Sequence, residues 1–314
     1  MGAAATMVNN PVPWPDGARC AVAITFDMDA DSILHLEHKD AHRRISANSM
    51  LRYGPQVALP RILETYRKFD IRQTFFIPAW CIEQYPETIE AILTDDHEIA
   101  HHGYIHENPL DQSREEQLYW LQRSIEVIDK YTGKRPRGWR APLYNFSSDS
   151  ADLLVQEGFT YDASLMGDDV PYVIRTETGQ LVELPSHWGL DDWPPYVHSL
   201  DLDYVMQIRA PSEAIRSFRE EFDSAWEYGG LWVSVWHPFA SGRLARWAEV
   251  EKLIEYMLEK GDVWFARMED IAAHVGRCID DGSYQPRVDN LPFYDSPVEV
   301  EGPGTGKARG EDDA

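Results

Sequence analysis

The stretch Cys20-Ala-Val-Ala-Ile-Thr-Phe-Asp27-Met-Asp29 places two acidic residues at the end of a continuous apolar run. A short apolar run that ends in polar residues is typical of a buried strand. Alternate residues of a strand face the same side, so Asp27 and Asp29 are expected to point into one space. The stretch therefore predicts the first strand of a buried sheet, with an acidic site at its carboxyl end.

A second segment, His97-Glu-Ile-Ala-His-His102-Gly-Tyr-Ile-His106, supplies histidines for the same site. One carboxylate with two imidazoles is a common ligand set for a catalytic zinc, and a second carboxylate is then free to act as a base. His102 ends its predicted strand as Asp29 does, whereas His97 lies about 15 Å away at the other end. We therefore predict His102 and His106 as ligands. His97 and His101, which have the same spacing, are the alternative pair.

Short apolar runs alternate with amphipathic segments from residue 20 to about 275, which favours a parallel sheet. The predicted strands are 20–29, 72–79, 97–102, 136–142, 159–165, 181–187, 231–237 and 263–267. The predicted helices are 56–69, 87–94, 113–131, 150–156, 213–227 and 248–259. Polar residues end most strands: Asp27, Asp29, His102, Arg140, His187, His237 and Arg267. Because strand ends converge on one face of a βα barrel, we predict an α/β fold with a single barrel of about seven to eight strands.

Two long connections interrupt this alternation. Residues 31–53 are rich in His and Arg, and residues 186–210 contain Trp188, Trp193 and two adjacent prolines. Connections of this length in a compact domain are usually lids, binding loops or subunit contacts. We expect both to stand at the mouth of the site.

The predicted barrel spans residues 15–275. It is preceded by an amino-terminal extension at 1–14 and followed by a carboxyl-terminal extension at 276–314. The composition after about residue 296, rich in Gly and charged residues, predicts a disordered tail.

Composition narrows the class of protein. A formal net charge of −24 argues against nucleic acid or an anionic membrane as partner, since both require a positive surface. The sequence contains no apolar run near the roughly 18 residues that span a bilayer, and no secretory signal. The start matches the short myristoylation pattern through Thr6, a pattern that is often met by chance. Three widely spaced cysteines, Cys20, Cys81 and Cys278, form no disulfide framework, so we expect a cytoplasmic protein.

With these residues in place, the chain resembles the polysaccharide deacetylase superfamily over most of residues 15–275. Thr25-Phe-Asp27-Met-Asp29 stands where the superfamily has its base and ligand aspartates, and His102-Gly-Tyr-Ile-His106 matches its His-Ser/Thr-x-x-His motif. Gly138-Trp-Arg140-Ala-Pro142 matches the Arg-x-Pro motif, and Trp236-His237-Pro238 the late histidine motif. The resemblance implies a deformed βα barrel.

The resemblance also implies a role for each matched residue. The implied catalytic set is Asp27 as general base, Asp29, His102 and His106 as metal ligands, His237 as general acid, and Arg140 as the cation that holds Asp27. The implied cofactor is one divalent metal, zinc first, with cobalt and manganese as alternatives. The expected substrate contacts are Trp188, Trp193, Pro142 and Tyr144.

Departures from the superfamily pattern point to one branch. Met28 separates the two aspartates, and Gly103 replaces the hydroxyl residue of the second motif. Together with Gly158-Phe-Thr-Tyr-Asp162-Ala-Ser, Glu183-Leu-Pro-Ser-His-Trp and His237-Pro-Phe-Ala-Ser-Gly-Arg243, they resemble the branch of peptidoglycan-deacetylase-like, cyclic imide hydrolase and allantoinase-type proteins. Members of that branch are often cytoplasmic and oligomeric, which implies a homo-oligomer, either a tetramer or a dimer.

Three functional hypotheses follow. The first is a metal-dependent hydrolase of non-peptide C–N bonds, acting on a small cyclic imide or amide or on a small N-acyl compound, with weak or no activity on chitin or peptidoglycan fragments. The alternative is a deacetylase of N-acetylated sugars, for which the eleven tryptophans offer stacking surfaces. The third is a non-catalytic binding protein on the same barrel, against which the intact catalytic set argues.

Overall fold

A sheet of ten strands forms the centre of the protein in the computed structural model, which describes residues 7–294 and 296–298. The strands are β1 (Cys20–Asp27), β2 (Thr74–Ile77), β3 (Glu98–His101), β4 (Gly138–Trp139), β5 (Tyr161–Asp162), β6 (Tyr172–Arg175), β7 (Gln180–Glu183), β8 (Leu231–Trp236), β9 (Val263–Phe265) and β10 (Val288–Asn290). All eight predicted strands are present, with shorter bounds. β6 and β10 were not predicted, because each is short and carries no long apolar run.

The strand order is β10-β6-β7-β5-β4-β3-β2-β1-β8, and β9 pairs with the first residues of β1. Neighbouring strands pair in parallel, except that β6 and β7 are antiparallel. Within the described residues the sheet does not close, since β8 and β10 stand at its two ends. The predicted fold class is confirmed as a deformed α/β barrel with an open sheet.

Twelve α-helices surround the sheet in the described part of the chain. They are α1 (Ser32–Glu37), α2 (Ile45–Tyr53), α3 (Leu59–Phe69), α4 (Ala79–Gln84), α5 (Pro86–Thr94), α6 (Arg114–Thr132), α7 (Ser150–Gln156), α8 (Trp193–Tyr196), α9 (Pro211–Tyr228), α10 (Pro238–Ser241), α11 (Leu244–Lys260) and α12 (Met268–Asp280). Among these helices, none combines the length and the apolarity needed to cross a bilayer.

Local sequence explains the helix that was predicted at 113–131. Ser113 accepts a hydrogen bond from the backbone N–H of Glu116, whose carboxylate accepts one from the N–H of Ser113. This capping box begins α6, and Gly133 ends it in the left-handed conformation at φ 70°. The two predicted long connections also contain helices, α1 and α2 in 31–53 and α8 in 186–210.

The packed unit is wider than the predicted 15–275. Trp14, in the predicted amino-terminal extension, is only 5% exposed and lies beside Trp264. At the other end, α12 crosses residue 275, buried Tyr284 donates a hydrogen bond to the carbonyl of Pro171, and β10 pairs with β6. Most of the predicted disordered tail lies outside the described residues.

The register of the sheet brings the catalytic motifs to one edge. Phe26 of β1 pairs with Trp236 of β8, Ile77 of β2 with His101 of β3, and His101 with Trp139 of β4. The residues that follow these positions therefore leave the sheet side by side at its carboxyl edge. They are Asp27, Asp29, His102, Arg140 and His237.

Candidate active site

Asp27 lies between a cation and the histidine motif. Its Oδ1 accepts a hydrogen bond of 2.5 Å from Nη1 of Arg140, and its Oδ2 lies 3.6 Å from Nε2 of His102. Arg140 is fully buried and also donates to Oγ1 of Thr25 and to the carbonyl of Ala163, both at 3.0 Å. One oxygen of Asp27 is thus fixed by Arg140, while the other faces the cavity.

Asp29, His102 and His106 form a compact group of potential metal ligands. Their nearest ligand atoms all lie within 4.8 Å of one another, and the three side chains are buried. Asp29 Oδ1 is 3.3 Å from Nε2 of His102, and Asp29 Oδ2 is 3.6 Å from Nε2 of His106. The structure therefore brings Asp29 together with His102 and His106, the pair that was predicted from its position at the end of the strand.

The chain around the two histidines fixes their orientation. His102 donates from Nδ1 to the carbonyl of Arg140 at 2.8 Å, which leaves its Nε2 lone pair facing Asp29. Between the histidines the chain turns sharply, with φ of 75° at Gly103 and 69° at His106. The carboxylate of Glu107 accepts hydrogen bonds from the backbone N–H groups of that turn.

Gly103 suits this turn better than the hydroxyl residue of the superfamily motif. Its φ lies in the left-handed region, where a side chain is strained. A Cβ at this position would also meet both carboxylate oxygens of Glu107 at 3.2 Å. The departure at Gly103 is therefore explained by the Glu107 cap, which holds His106 in place.

The donor set fits a divalent metal. Asp29 Oδ1 is buried and has no hydrogen-bond donor among the described residues, as expected for an oxygen reserved for a cation. Burial holds the pKa of His106 at about 4, so its imidazole is neutral and able to bind a metal. Burial alone would raise the pKa of Asp29, but the imidazoles of His106 and His102 lower it below its usual range.

His237 is held by Asp192, a residue that the sequence analysis missed. Nδ1 of His237 donates to Oδ1 of Asp192 at 2.7 Å, and its Nε2 lies 3.5 Å from Asp29 Oδ2. Oδ2 of Asp192 accepts from the backbone N–H groups of His237 and Ser241, each at 3.0 Å. The only sequence signal was a pair of adjacent aspartates, Asp191 and Asp192, within the predicted loop 186–210.

The acidic surroundings of His237 favour its protonated form. Burial by itself would lower its pKa, but the carboxylates of Asp192, Asp29 and Asp191 raise the pKa of His237 to about 10. An imidazolium with one N–H on Asp192 and the other facing the cavity is equipped to donate a proton.

The variant Asp192→Asn is expected to shift the alkaline limb of the pH profile of kcat/KM to lower pH. The substitution keeps the shape but removes the charge that contributes most to raising the pKa of His237. Because His237 must be protonated to act as an acid, activity is lost as pH rises through that pKa, and a lower pKa brings the loss earlier. Asp281→Asn, at an exposed carboxylate, is the control. An unmoved alkaline limb would contradict the assignment.

A cavity of about 850 Å³ opens over these groups. Three of the four predicted substrate contacts, Trp188, Trp193 and Tyr144, line it. Pro142 is not part of the described cavity wall, and its contact with substrate stays a prediction. Its ring lies beside Gly103, with Cγ 3.2 Å from the place that a Cβ on Gly103 would take.

Two further predicted strand-end residues do not join the site. Arg267 pairs with Asp270 and with the carbonyl of Asp96, because β9 meets only the beginning of β1 and so ends far from the carboxyl edge. His187 is half-exposed and lies 3.6 Å from Glu221, outside the cavity wall.

Asp191, Asp192 and His237 form a second close group of potential ligands, but hydrogen bonds already occupy them. Asp191 accepts from the hydroxyl of Tyr144 and from the backbone N–H of Trp193, both at 2.6 Å. The two aspartates therefore orient Tyr144 and His237 rather than a second metal.

Comparisons with known proteins agree with these motifs. The family model described as "Polysaccharide deacetylase" matches residues 40–161. A relative named "Peptidoglycan deacetylase", from Helicobacter pylori, is 30% identical over 249 residues, which cover 70% of this chain and 84% of the relative.

Solved structures show the same relationship. A putative polysaccharide deacetylase from Mycobacterium smegmatis is 38% identical with a TM-score of 0.83, covering 95% of this chain and 100% of that one. Puue Allantoinase shares the fold, at 24% identity and a TM-score of 0.76, over 86% of this chain and 95% of its own. The resemblance predicted from the motifs is confirmed, and the chain belongs to the polysaccharide deacetylase family.

Proposed function

We propose that this protein is a metal-dependent hydrolase of an amide C–N bond, with a compact N-acetylated amino sugar of one or two rings as the first candidate substrate. The observation that carries the proposal is the grouping of a base and an acid around one ligand set. Asp27 lies 3.6 Å from His102, and His237 lies 3.5 Å from Asp29. Membership of a family of C–N hydrolases supports the same reaction class.

The metal that we place at Asp29, His102 and His106 is zinc, since a buried set of two imidazoles and one carboxylate suits it. When bound, a divalent metal of this kind supplies an activated water and polarises the acyl oxygen. Cobalt and manganese remain the alternatives.

The chain's own residues perform the proton transfers. Asp27 takes the proton of the attacking water at Oδ2, because Arg140 occupies its other oxygen. His237 gives a proton from Nε2 to the departing nitrogen, because Asp192 occupies its Nδ1. The transfers leave His237 neutral and Asp27 protonated. As the products leave, Asp27 gives its proton to solvent and His237 takes one up from solvent, which restores both groups.

The choice of an amino sugar revises the order of the sequence-based hypotheses. From the sequence alone, cyclic imides and small N-acyl compounds are the first candidate substrates, and N-acetyl sugars the second. The names of the relatives favour the second hypothesis, since the Helicobacter pylori protein is named a peptidoglycan deacetylase. An amino sugar of one or two rings is both a small N-acyl compound and an N-acetylated sugar.

A contact between the two long connections supports a compact substrate. Nε2 of His38 donates to the carbonyl of Asp201 at 2.6 Å, and Nη1 of Arg44 pairs with Oδ1 of Asp201 at 2.5 Å. This clasp, formed by His38, Arg44 and Asp201, joins the 31–53 segment to the 186–210 segment above the cavity. A long polymer needs an open groove instead, so the clasp favours short substrates.

The charge of the cavity supports a substrate without a negative charge. Six carboxylates line it, and the described lining contains no lysine or arginine. The six are Asp27, Asp29, Glu37, Asp191, Asp201 and Asp203. The carboxylates of the lining outnumber the one imidazolium, His237, so the cavity disfavours an anionic ligand relative to a neutral one. N-acetylglucosamine meets this condition, whereas N-acetylmuramic acid carries a carboxylate.

A small cyclic imide or amide is the second candidate. The specific observation in its favour is the aromatic wall of Tyr144 and Trp188, whose rings meet edge to face at 4.7 Å. A flat ring can lie against such a wall, and Tyr144 is itself fixed by Asp191.

We expect the zinc-loaded protein to release acetate from N-acetylglucosamine or its dimer, with a kcat/KM that does not rise for longer chitooligosaccharides. The clasp leaves room for a short substrate, and added rings gain no further contacts. Acetate release is measured for the monomer through the hexamer, beside the ring opening of succinimide and dihydrouracil. Rates that rise with chain length would contradict the compact-substrate claim.

Two controls separate size from charge in this experiment. N-acetylmuramic acid is compared with its carboxamide, which has nearly the same size but no charge, and only the acid should react slowly. The variant Asp201→Ala breaks the ion pair of the clasp and should raise the relative rate on long oligomers. If the protein opens the rings of succinimide or dihydrouracil but releases no acetate from the sugars, the cyclic imide or amide replaces the amino sugar as the first candidate substrate.

A further inference from the structure

Two buried carboxyl groups hold the segment that contacts the active-site arginine, and they take no direct part in the chemistry above. Asp162 ends β5 and Glu183 ends β7, and the parallel register places them opposite each other. Both side chains are fully buried, and neither forms an ion pair within the described residues. They belong to the Tyr161-Asp-Ala-Ser and Glu183-Leu-Pro segments that marked the branch in the sequence.

The pair holds the segment that follows β5. Asp162 accepts hydrogen bonds from Oγ of Ser164 at 2.7 Å and from its backbone N–H at 3.0 Å. Glu183 Oε1 accepts from the backbone N–H of Leu165 at 2.9 Å. The two acids thus hold three polar atoms of the segment 163–165, namely Oγ and N of Ser164 and N of Leu165.

That same segment holds the side chain of Arg140 and the backbone that follows it. The carbonyl of Ala163 accepts from Nε of Arg140 at 3.0 Å, and Oγ of Ser164 accepts from the backbone N–H of Ala141 at 2.8 Å. A continuous set of contacts therefore runs from the acid pair through Ala163 and Ser164 to Arg140. From Arg140 it reaches Asp27.

Two adjacent carboxylates in a dry site cannot both be ionised at neutral pH. Burial raises the pKa of Glu183 well above its usual range, and the neighbouring Asp162 raises it further. A hydrogen bond between two carboxyl groups requires a proton on one of them. Glu183 Oε2 is buried and receives no N–H or O–H donor among the described residues, so it is the oxygen free to carry a proton shared with Asp162.

We propose that Asp162 and Glu183 share one proton and act together as positioning residues that keep the Arg140 guanidinium on Asp27. With one proton shared, the pair carries a single negative charge. A doubly ionised pair would compete with Asp27 for Arg140, whose Nη2 has no hydrogen-bond partner among the described residues. The inference deepens the proposed function and rests on it only through the role of Asp27 as base.

The test compares Glu183→Gln with Glu183→Leu. The glutamine amide donates to Asp162 as a protonated carboxyl does, so E183Q should keep kcat within a few-fold of the wild type. Leucine donates nothing, so E183L should lower kcat by at least about tenfold at unchanged metal content and nearly unchanged KM, as expected for a misplaced base. Equal losses in both variants, or none in E183L, would overturn the proposal.

A matched control separates positioning from lost stability. Ile174→Ala creates a buried cavity in β6, beside β7, at a side chain that forms no hydrogen bond with Arg140, and should lower the melting temperature without lowering kcat. If I174A loses as much kcat as E183L, the effect is general destabilisation and the proposal fails.

Two readouts do not depend on turnover and so stand apart from the proposed function. The infrared carbonyl band of a protonated carboxylic acid should persist above neutral pH in the wild type and disappear in E183Q. Crystal structures should retain the Arg140–Asp27 hydrogen bond in E183Q and show it broken in E183L. A wild-type protein without the band would contradict the shared proton, even if no substrate is ever found.

Discussion

The variants His102→Ala and His106→Ala are each expected to lose the bound metal while the fold survives. The wild-type protein should carry about one transition metal per chain, since three buried ligand atoms converge on one point. Removing one imidazole leaves two protein ligands and an unfilled position, which is too few for tight binding. Elemental analysis after dialysis measures the occupancy, and circular dichroism checks the fold.

His97→Ala is the matched control for these variants. His97 belongs to the alternative pair, but its Nδ1 accepts a hydrogen bond from the backbone N–H of Gln73 at 3.0 Å, away from Asp29. H97A should therefore keep its metal. Full occupancy in both H102A and H106A, or an empty site in H97A, would show that the ligand assignment is wrong.

The variant Asp27→Asn is expected to lose turnover by at least about a hundredfold while it keeps its metal. The amide has almost the shape of the carboxylate but cannot take a proton from the attacking water. Arg140 can still donate to the amide oxygen, so the surrounding contacts should remain. Kinetic measurement at equal metal occupancy isolates the loss of the base.

Asp31→Asn is the control for that experiment, because Asp31 is the next carboxylate along the chain. It accepts a hydrogen bond from Tyr85 and lies 3.9 Å from Arg52, and it does not line the cavity. D31N should stay within a few-fold of the wild type. A large loss in D31N with a small loss in D27N would move the role of base to Asp31.

The sequence predicted the parts of the site that depend on strand ends. Asp27, Asp29, His102, Arg140 and His237 each follow an apolar run, and in a parallel sheet such positions meet at one edge. Two predicted strand ends do not join the site. Arg267 ends a strand that pairs only with the beginning of β1, and His187 lies outside the cavity wall beside Glu221.

The parts that the sequence did not predict depend on contacts between distant segments. Asp192 reaches His237 across 45 residues, and the clasp joins Asp201 to Arg44 across 157. β10 and β6 are also far apart in the chain, and neither carries a periodic signal of its own. Such contacts are set by tertiary packing, which local patterns do not encode. The homo-oligomer stays a prediction.

The measurement that tests the central claim most directly is the rate of acetate release from N-acetylglucosamine and its dimer by the zinc-loaded wild type and by D27N at equal metal occupancy. Steady release by the wild type, reduced by at least about a hundredfold in D27N, is the predicted result. Release at similar rates by both proteins would contradict the account, because the C–N bond would then be cleaved without the base at Asp27.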